Sequence, residues 1–128
     1  MKHLKEKTDA LCSQGKDTNF TGHVVNNFHC ERLCKLLEDH QGTVIYGNEK
    51  AHEDKNLIPT IILNPSMDSE LMKGEVFGPI LPVFTYKDID EAIEIIKQGD
   101  KPLSVYYFGA NTTRNKNLQK VRQETSSG

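Results

Sequence analysis

No apolar run in this chain approaches the roughly 20 residues that a membrane-spanning helix needs, so the sequence carries no span of that kind. Neither sign of charge dominates: sixteen Lys and Arg face eighteen Asp and Glu, for a net charge of −2. Cut after Asn56, the chain leaves eight basic and nine acidic residues on each side. With a pI near 6.2 there is no basic stripe of the sort a nucleic-acid surface shows, and that partner class is excluded. Cysteine is also scarce. Cys12, Cys30 and Cys34 form an odd, sparse set, whereas a disulfide-stapled secreted fold needs a denser one. The charged start Met1-Lys2-His3-Leu4-Lys5-Glu6-Lys7 is followed by no apolar stretch, so it does not read as a secretory signal. Without one, the sequons at Asn19 and Asn111 are chance matches. No repeat, low-complexity stretch, G-x-S-x-G, P-loop or G-x-G-x-x-G occurs. The expectation is a soluble, cytoplasmic protein whose 128 residues make a single domain.

What is present is alternation. Leu4 and Leu11 amid charges suggest a narrow amphipathic helix over residues 2–11, and residues 13–19 read as a loop. Asn26 or Asn27 can cap a helix reaching about His40, because Cys30, Leu33, Cys34, Leu36 and Leu37 recur at three- and four-residue intervals. Gly42 would close it. Residues 43–47 read as a strand, and the charged segment 48–56 as a loop. Residues 57–63 are β-branched and apolar, but Pro59 puts them at a sheet edge or delays their pairing. Residues 66–73 read as a short helix or turn, and 80–85 as a further strand containing Pro82.

Residues 88–98 give the clearest helix. Asp88 caps it, Glu91 completes a capping box, and Ile89, Ala92, Ile93 and Ile96 form its stripe. Gly99 and Pro102 then stop it. Leu103-Ser104-Val105-Tyr106-Tyr107-Phe108 reads as a strand buried on both faces, and residues 111–124 as a final helix with Leu118 and Val121 inward. This order predicts an α/β fold, a three-layer α/β/α arrangement around a mostly parallel sheet.

Chemistry-bearing candidates are few. Cys30 and Cys34 lie one helical turn apart, with His29 adjacent and His23 near. A closed zinc site normally has four ligands, and this face is shared with Leu33 and Leu37, so the cysteines read as core and no metal site is expected. Cys30 is the one candidate nucleophile, near a helix start and beside His29, but its apolar stripe favours packing. The segment Gly74-Glu75-Val76-Phe77-Gly78-Pro79 leaves two readings open. A carboxylate on a loop entering a strand can accept both hydroxyls of a ribose while Phe77 lies against a heteroaromatic ring. Alternatively, the segment is a tight turn whose Phe fills the core.

Glu75-Val76-Phe77-Gly78-Pro79-Ile80-Leu81-Pro82 resembles the E-x-F-G-P motif of the aldehyde dehydrogenase superfamily. Gly22-His23-Val24-Val25-Asn26-Asn27-Phe28-His29-Cys30-Glu31-Arg32-Leu33 resembles that family's G-x-I-x-N-x-x-H-x-x-R helix start, and Ile58-Pro59-Thr60-Ile61-Ile62-Leu63 its A-P-T-[IV] strand. Asp90-Glu91-Ala92-Ile93, Lys101-Pro102-Leu103-Ser104-Val105-Tyr106 and the ending Glu124-Thr125-Ser126-Ser127-Gly128 continue the likeness, the last toward the class 3 branch acting on fatty or aromatic aldehydes.

The resemblance implies part of the catalytic domain of an NAD(P)-dependent aldehyde dehydrogenase. Glu75 would be the ligand of the nicotinamide ribose and Phe77 the neighbour of the nicotinamide ring. It also implies an aldehyde substrate and a homodimer formed through residues 1–12. The family reaction is thiolate attack on the aldehyde, hydride transfer to NAD(P)⁺, and thioester hydrolysis assisted by a glutamate. The family's catalytic cysteine lies in a G-Q-x-C segment that residues 1–128 do not contain. The cysteines present therefore do not inherit that role, no catalytic residue is expected among them, and the chain by itself is expected to be inactive. Its alternative reading is an inactive fragment serving as a structural or partner-binding module.

Overall fold

A computed structural model describes residues 1–14, 27–47, 59–109 and 111–126. His23, Asn26, Leu57, Ile58, the charged segment 48–56 and all but the start of the loop at 13–19 lie outside the described residues. The chain divides into two compact units, residues 1–84 and 85–128.

In the first unit, α1 spans Lys2–Gln14 and α2 spans Asn27–Glu38. The apolar stripe read in the sequence is real on α2: Cys30, Leu33 and Leu37 are buried. On α1 it is only half present, since Leu4 is half-buried and Leu11 exposed. Past α2 the left-handed residue is Gln41, at φ +53°, and not Gly42. Gly42 is small for another reason: a Cβ there would sit 2.8 Å from Ile62 Cγ2 and 2.8 Å from the Leu63 carbonyl oxygen. The buried His40 ties this corner together. Its Nδ1 accepts the Gly42 N–H at 2.9 Å and its carbonyl accepts the Ser66 N–H at 2.8 Å.

Three strands follow, β1 at Thr43–Tyr46, β2 at Thr60–Leu63 and β3 at Ile80–Val83. They form a sheet of order β1-β2-β3, with β1 antiparallel and β3 parallel to β2. The fold is α/β, and the described sheet is mixed and not mostly parallel, since β2 has one antiparallel and one parallel neighbour. Ile45 is an extra residue between Val44↔Ile62 and Tyr46↔Ile61, a bulge that bends β1. Among the described residues β2 starts at Thr60, directly after Pro59. It is nonetheless the central strand. Leu33, Leu37, Ile62, Leu71 and Ile80 make the buried core, with Leu36, Val44, Met72 and Val76 packed against it. Leu71 comes from a 3₁₀ turn, Glu70–Met72, within the segment expected to be a turn or short helix.

In the second unit, α3 spans Ile89–Lys97. Asp88 Oδ1 accepts from the Asp90 and Glu91 N–H groups at 3.0 Å each, and the Glu91 carboxylate accepts from the Lys87 N–H at 2.7 Å. That is a capping box reaching one residue further back than the usual form. Ile93 is 2% exposed. The last helix, α4, spans Asn111–Ser126. Of its two expected inward residues, Val121 is buried and Leu118 is partly exposed. Lys97 pairs with Glu124 at 3.2 Å, and Lys120 pairs with Asp90.

The largest departure is residues 103–108, which form no strand. Leu103 is 97% exposed and Phe108 91%. An apolar run becomes a strand only where neighbours supply its ladder of N–H and C=O partners, and no described strand of its own unit pairs with it.

Candidate functional site

The segment 74–79 leaves the 3₁₀ turn and enters β3. Val76 still packs against the core, but Glu75 and Phe77 are exposed, Phe77 by 71%. The phenyl ring therefore does not fill the core. Phe77 also has φ +46°, a left-handed conformation that a bulky residue adopts only when its surroundings impose it.

Those surroundings are one face of α2. His29 Nε2 lies 2.7 Å from the Phe77 carbonyl oxygen, Arg32 Nη2 donates to the Val76 carbonyl at 2.5 Å, and Leu33 covers Gly78. Positions 29, 32 and 33 are i, i+3 and i+4, so a single helix face presents all three side chains. A Cβ on Gly78 would stand 2.7 Å from both Leu33 methyl carbons. Leu33 has 0% exposure and cannot swing aside. The turn therefore needs glycine here for space.

Beyond Gly78 the chain makes a tight reversal. The Ile80 N–H donates to the Gly78 carbonyl at 2.8 Å, an i→i+2 bond across Pro79. The Pro79 carbonyl accepts the Thr60 N–H at 2.8 Å, which begins the parallel ladder. The turn is thus fastened at its far end by the sheet and along its length by α2. Its two outward side chains are a carboxylate and an aromatic ring two residues apart. Among the described residues no donor or cation engages the Glu75 carboxylate, so both its oxygens face solvent with acceptor capacity to spare. An exposed bidentate acceptor beside an exposed ring has the donor–acceptor chemistry to hold a ribose diol and an adjoining heteroaromatic ring.

The cysteines are placed elsewhere. Cys30 is buried and Cys34 half-buried, both unbridged. Burial raises the Cys34 thiol above its ordinary range, and the nearby Cys30 raises it further. Cys34 is therefore not poised as a thiolate, and Cys30 is shut away from solvent. Among the described residues there is no group of three or more metal-ligating side chains, and no helix is long and apolar enough to cross a membrane. His29 and Arg32 were legible as a motif but not as the supports of the turn. Their three-residue spacing was the available signal.

The sequence signature of the aldehyde dehydrogenase family matches residues 1–128. Aldehyde dehydrogenase family 3 member F1 of Arabidopsis thaliana is 40% identical over 116 residues, covering 88% of this chain and 23% of that protein. The dimeric NADP-preferring aldehyde dehydrogenase of Bos taurus is 37% identical over 127 residues, covering 99% of this chain and 50% of that protein. Among solved structures, Staphylococcus aureus AldH in its substrate-bound state superimposes with a TM-score of 0.67 at 32% identity, over 95% of this chain and 28% of that one. Lactaldehyde dehydrogenase from Escherichia coli gives a TM-score of 0.73 at 25% identity, over 94% and 27%. The chain spans about a quarter of the length of most of these relatives. With its E-x-F-G-P turn, its α/β framework and its class 3 relatives in agreement, the chain belongs to the aldehyde dehydrogenase family.

Proposed function

We propose that this chain forms the nicotinamide-ribose contact of an NAD(P)-dependent aldehyde dehydrogenase that oxidises aldehydes to carboxylic acids. The observation that carries the reading is the outward pairing of Glu75 and Phe77 on a turn whose backbone is held by α2. When bound, NAD(P)⁺ supplies the acceptor for the hydride that leaves the aldehyde. Glu75 would hold it by accepting from the hydroxyls of the nicotinamide ribose. Phe77 would lie against the adjoining ring and limit its tilt. Together they fix the orientation on which transfer depends, and displacements near 1 Å are costly there.

The exposed Leu11 on α1 supports a homodimer face at residues 1–12, and the unbridged Cys30 and Cys34 suit a reducing, cytoplasmic setting. One observation favours a second reading, an inactive module that serves as structure or binds a partner: of the described cysteines, Cys30 is buried and the Cys34 thiol is raised above its ordinary range. The test is kinetic, on the intact native protein that carries these residues, with its mass measured first. Glu75→Gln should lower kcat for aldehyde-dependent NAD(P)H formation and bring out a deuterium isotope effect on the aldehyde hydrogen. Unchanged kcat would reduce Glu75 to a turn residue, and no turnover by the native protein would favour the inactive module.

A further inference from the structure

We infer that His29 and Arg32 are positioning residues: they set the angle at which the turn presents Glu75 and Phe77. The inference rests on the reading of that turn as a cofactor contact. Glu75 and Phe77 are exposed, so packing does not hold their side chains. Among the described residues, no main-chain hydrogen bond outside regular elements involves residues 74–77. The carbonyls of Val76 and Phe77, the two peptide units that follow Glu75, are instead gripped by side chains of α2. Phe77 is left-handed, and a left-handed phenylalanine persists only where the surrounding contacts over-determine it.

The chemistry of the grip is specific. A carbonyl oxygen only accepts, so His29 Nε2 must carry the hydrogen at the 2.7 Å contact with Phe77. Nδ1 of the same ring then keeps its lone pair in the neutral form, and Arg32 Nη2 approaches it at 3.5 Å. That nitrogen has two hydrogens, one directed to the Val76 carbonyl and one available to the ring. Arg32 thereby reinforces the tautomer that the Phe77 carbonyl already requires of His29. Leu33, one residue on, closes the packing beneath Gly78. The arrangement acts on geometry and touches neither the aldehyde nor the reacting atoms.

Two measurements on the intact native protein test this. The first is independent of turnover: ¹⁵N chemical shifts of the His29 ring, at a pH where it is neutral, should report the Nε2–H tautomer, and Arg32→Met should weaken that preference without abolishing it, because the Phe77 carbonyl still accepts from Nε2–H. The second is a split between kcat and KM. His29→Ala and Arg32→Met should lower kcat on the order of tenfold to a hundredfold, as expected for a misplaced reacting group. The KM for NAD(P)⁺ should stay within about twofold, because the rest of the cofactor keeps its own contacts. His29→Gln, which retains a donor, and Arg32→Lys, which retains a cation, should each recover part of the loss and guard against a variant that merely fails to fold.

An Nδ1–H tautomer in the wild type would overturn the proposal. So would an unchanged kcat in both truncations, or equal losses in the conservative and truncating variants. If Glu75→Gln slows turnover while the His29 and Arg32 variants do not, positioning fails and the cofactor reading stands. If Glu75→Gln has no effect, the cofactor reading fails and takes this inference with it.

Discussion

Gly78→Ala is the sharpest structural perturbation available, because the obstacle is a single buried side chain. The new methyl would meet both Leu33 methyl carbons at 2.7 Å, well inside the 3.5–4.0 Å optimum for carbon atoms. Leu33 is fully buried among Leu37, Ile62, Leu71 and Ile80, so it has no open rotamer to escape into. Overpacking of this kind costs about 1–3 kcal/mol. Leu33→Ala alone empties the same volume and should cost about 2–5 kcal/mol. In the double variant the added methyl enters the space that Leu33 vacates. Its cost should then fall short of the sum of the single changes by about 0.5–3 kcal/mol. Urea unfolding followed by circular dichroism measures all four corners of the cycle. Strict additivity would refute the reasoning, since it would mean that Gly78 and Leu33 do not share space.

In the second unit, Ile93→Ala should cost about 2–5 kcal/mol, because the side chain is almost wholly buried; a loss below about 1 kcal/mol in thermal or urea unfolding would place it outside the core. Cys34 should be alkylated by iodoacetamide only at a more alkaline pH than a free thiol, since burial and Cys30 raise its pKa. By linkage, a raised folded-state pKa gives stability that is complete below the unfolded thiol's range and is lost as pH climbs through the folded value. Unfolding free energy should therefore decline on the alkaline side, and less so in Cys34→Ser; identical alkaline limbs in the two proteins would contradict this.

What the sequence disclosed depended on how local the determinant was. The Asp88 cap, the Glu91 return bond and the burial of Ile93 all lie within one helix, and the pattern of residues 88–98 contained them. Residues 103–108 failed as a strand because strand formation depends on neighbours, which no run of apolar residues specifies. Gln41 took the left-handed position expected of Gly42, whose lack of a side chain answers a contact with Ile62 some twenty residues away. The turn at 74–79 was recognisable as a motif. Its attachment to His29 and Arg32 was not, because each bond crosses more than forty residues of chain.

Phe77 separates two standards by which a residue is judged. Its positive φ is a standing cost of roughly 1–3 kcal/mol for any side chain with a Cβ, and glycine would remove it. A search for a sturdier variant of this chain would therefore favour Phe77→Gly, would be rewarded in the melting temperature, and would erase the ring that the proposed chemistry uses. At this position thermostability is a misleading guide, and a library selected on it alone would drift away from activity one turn at a time.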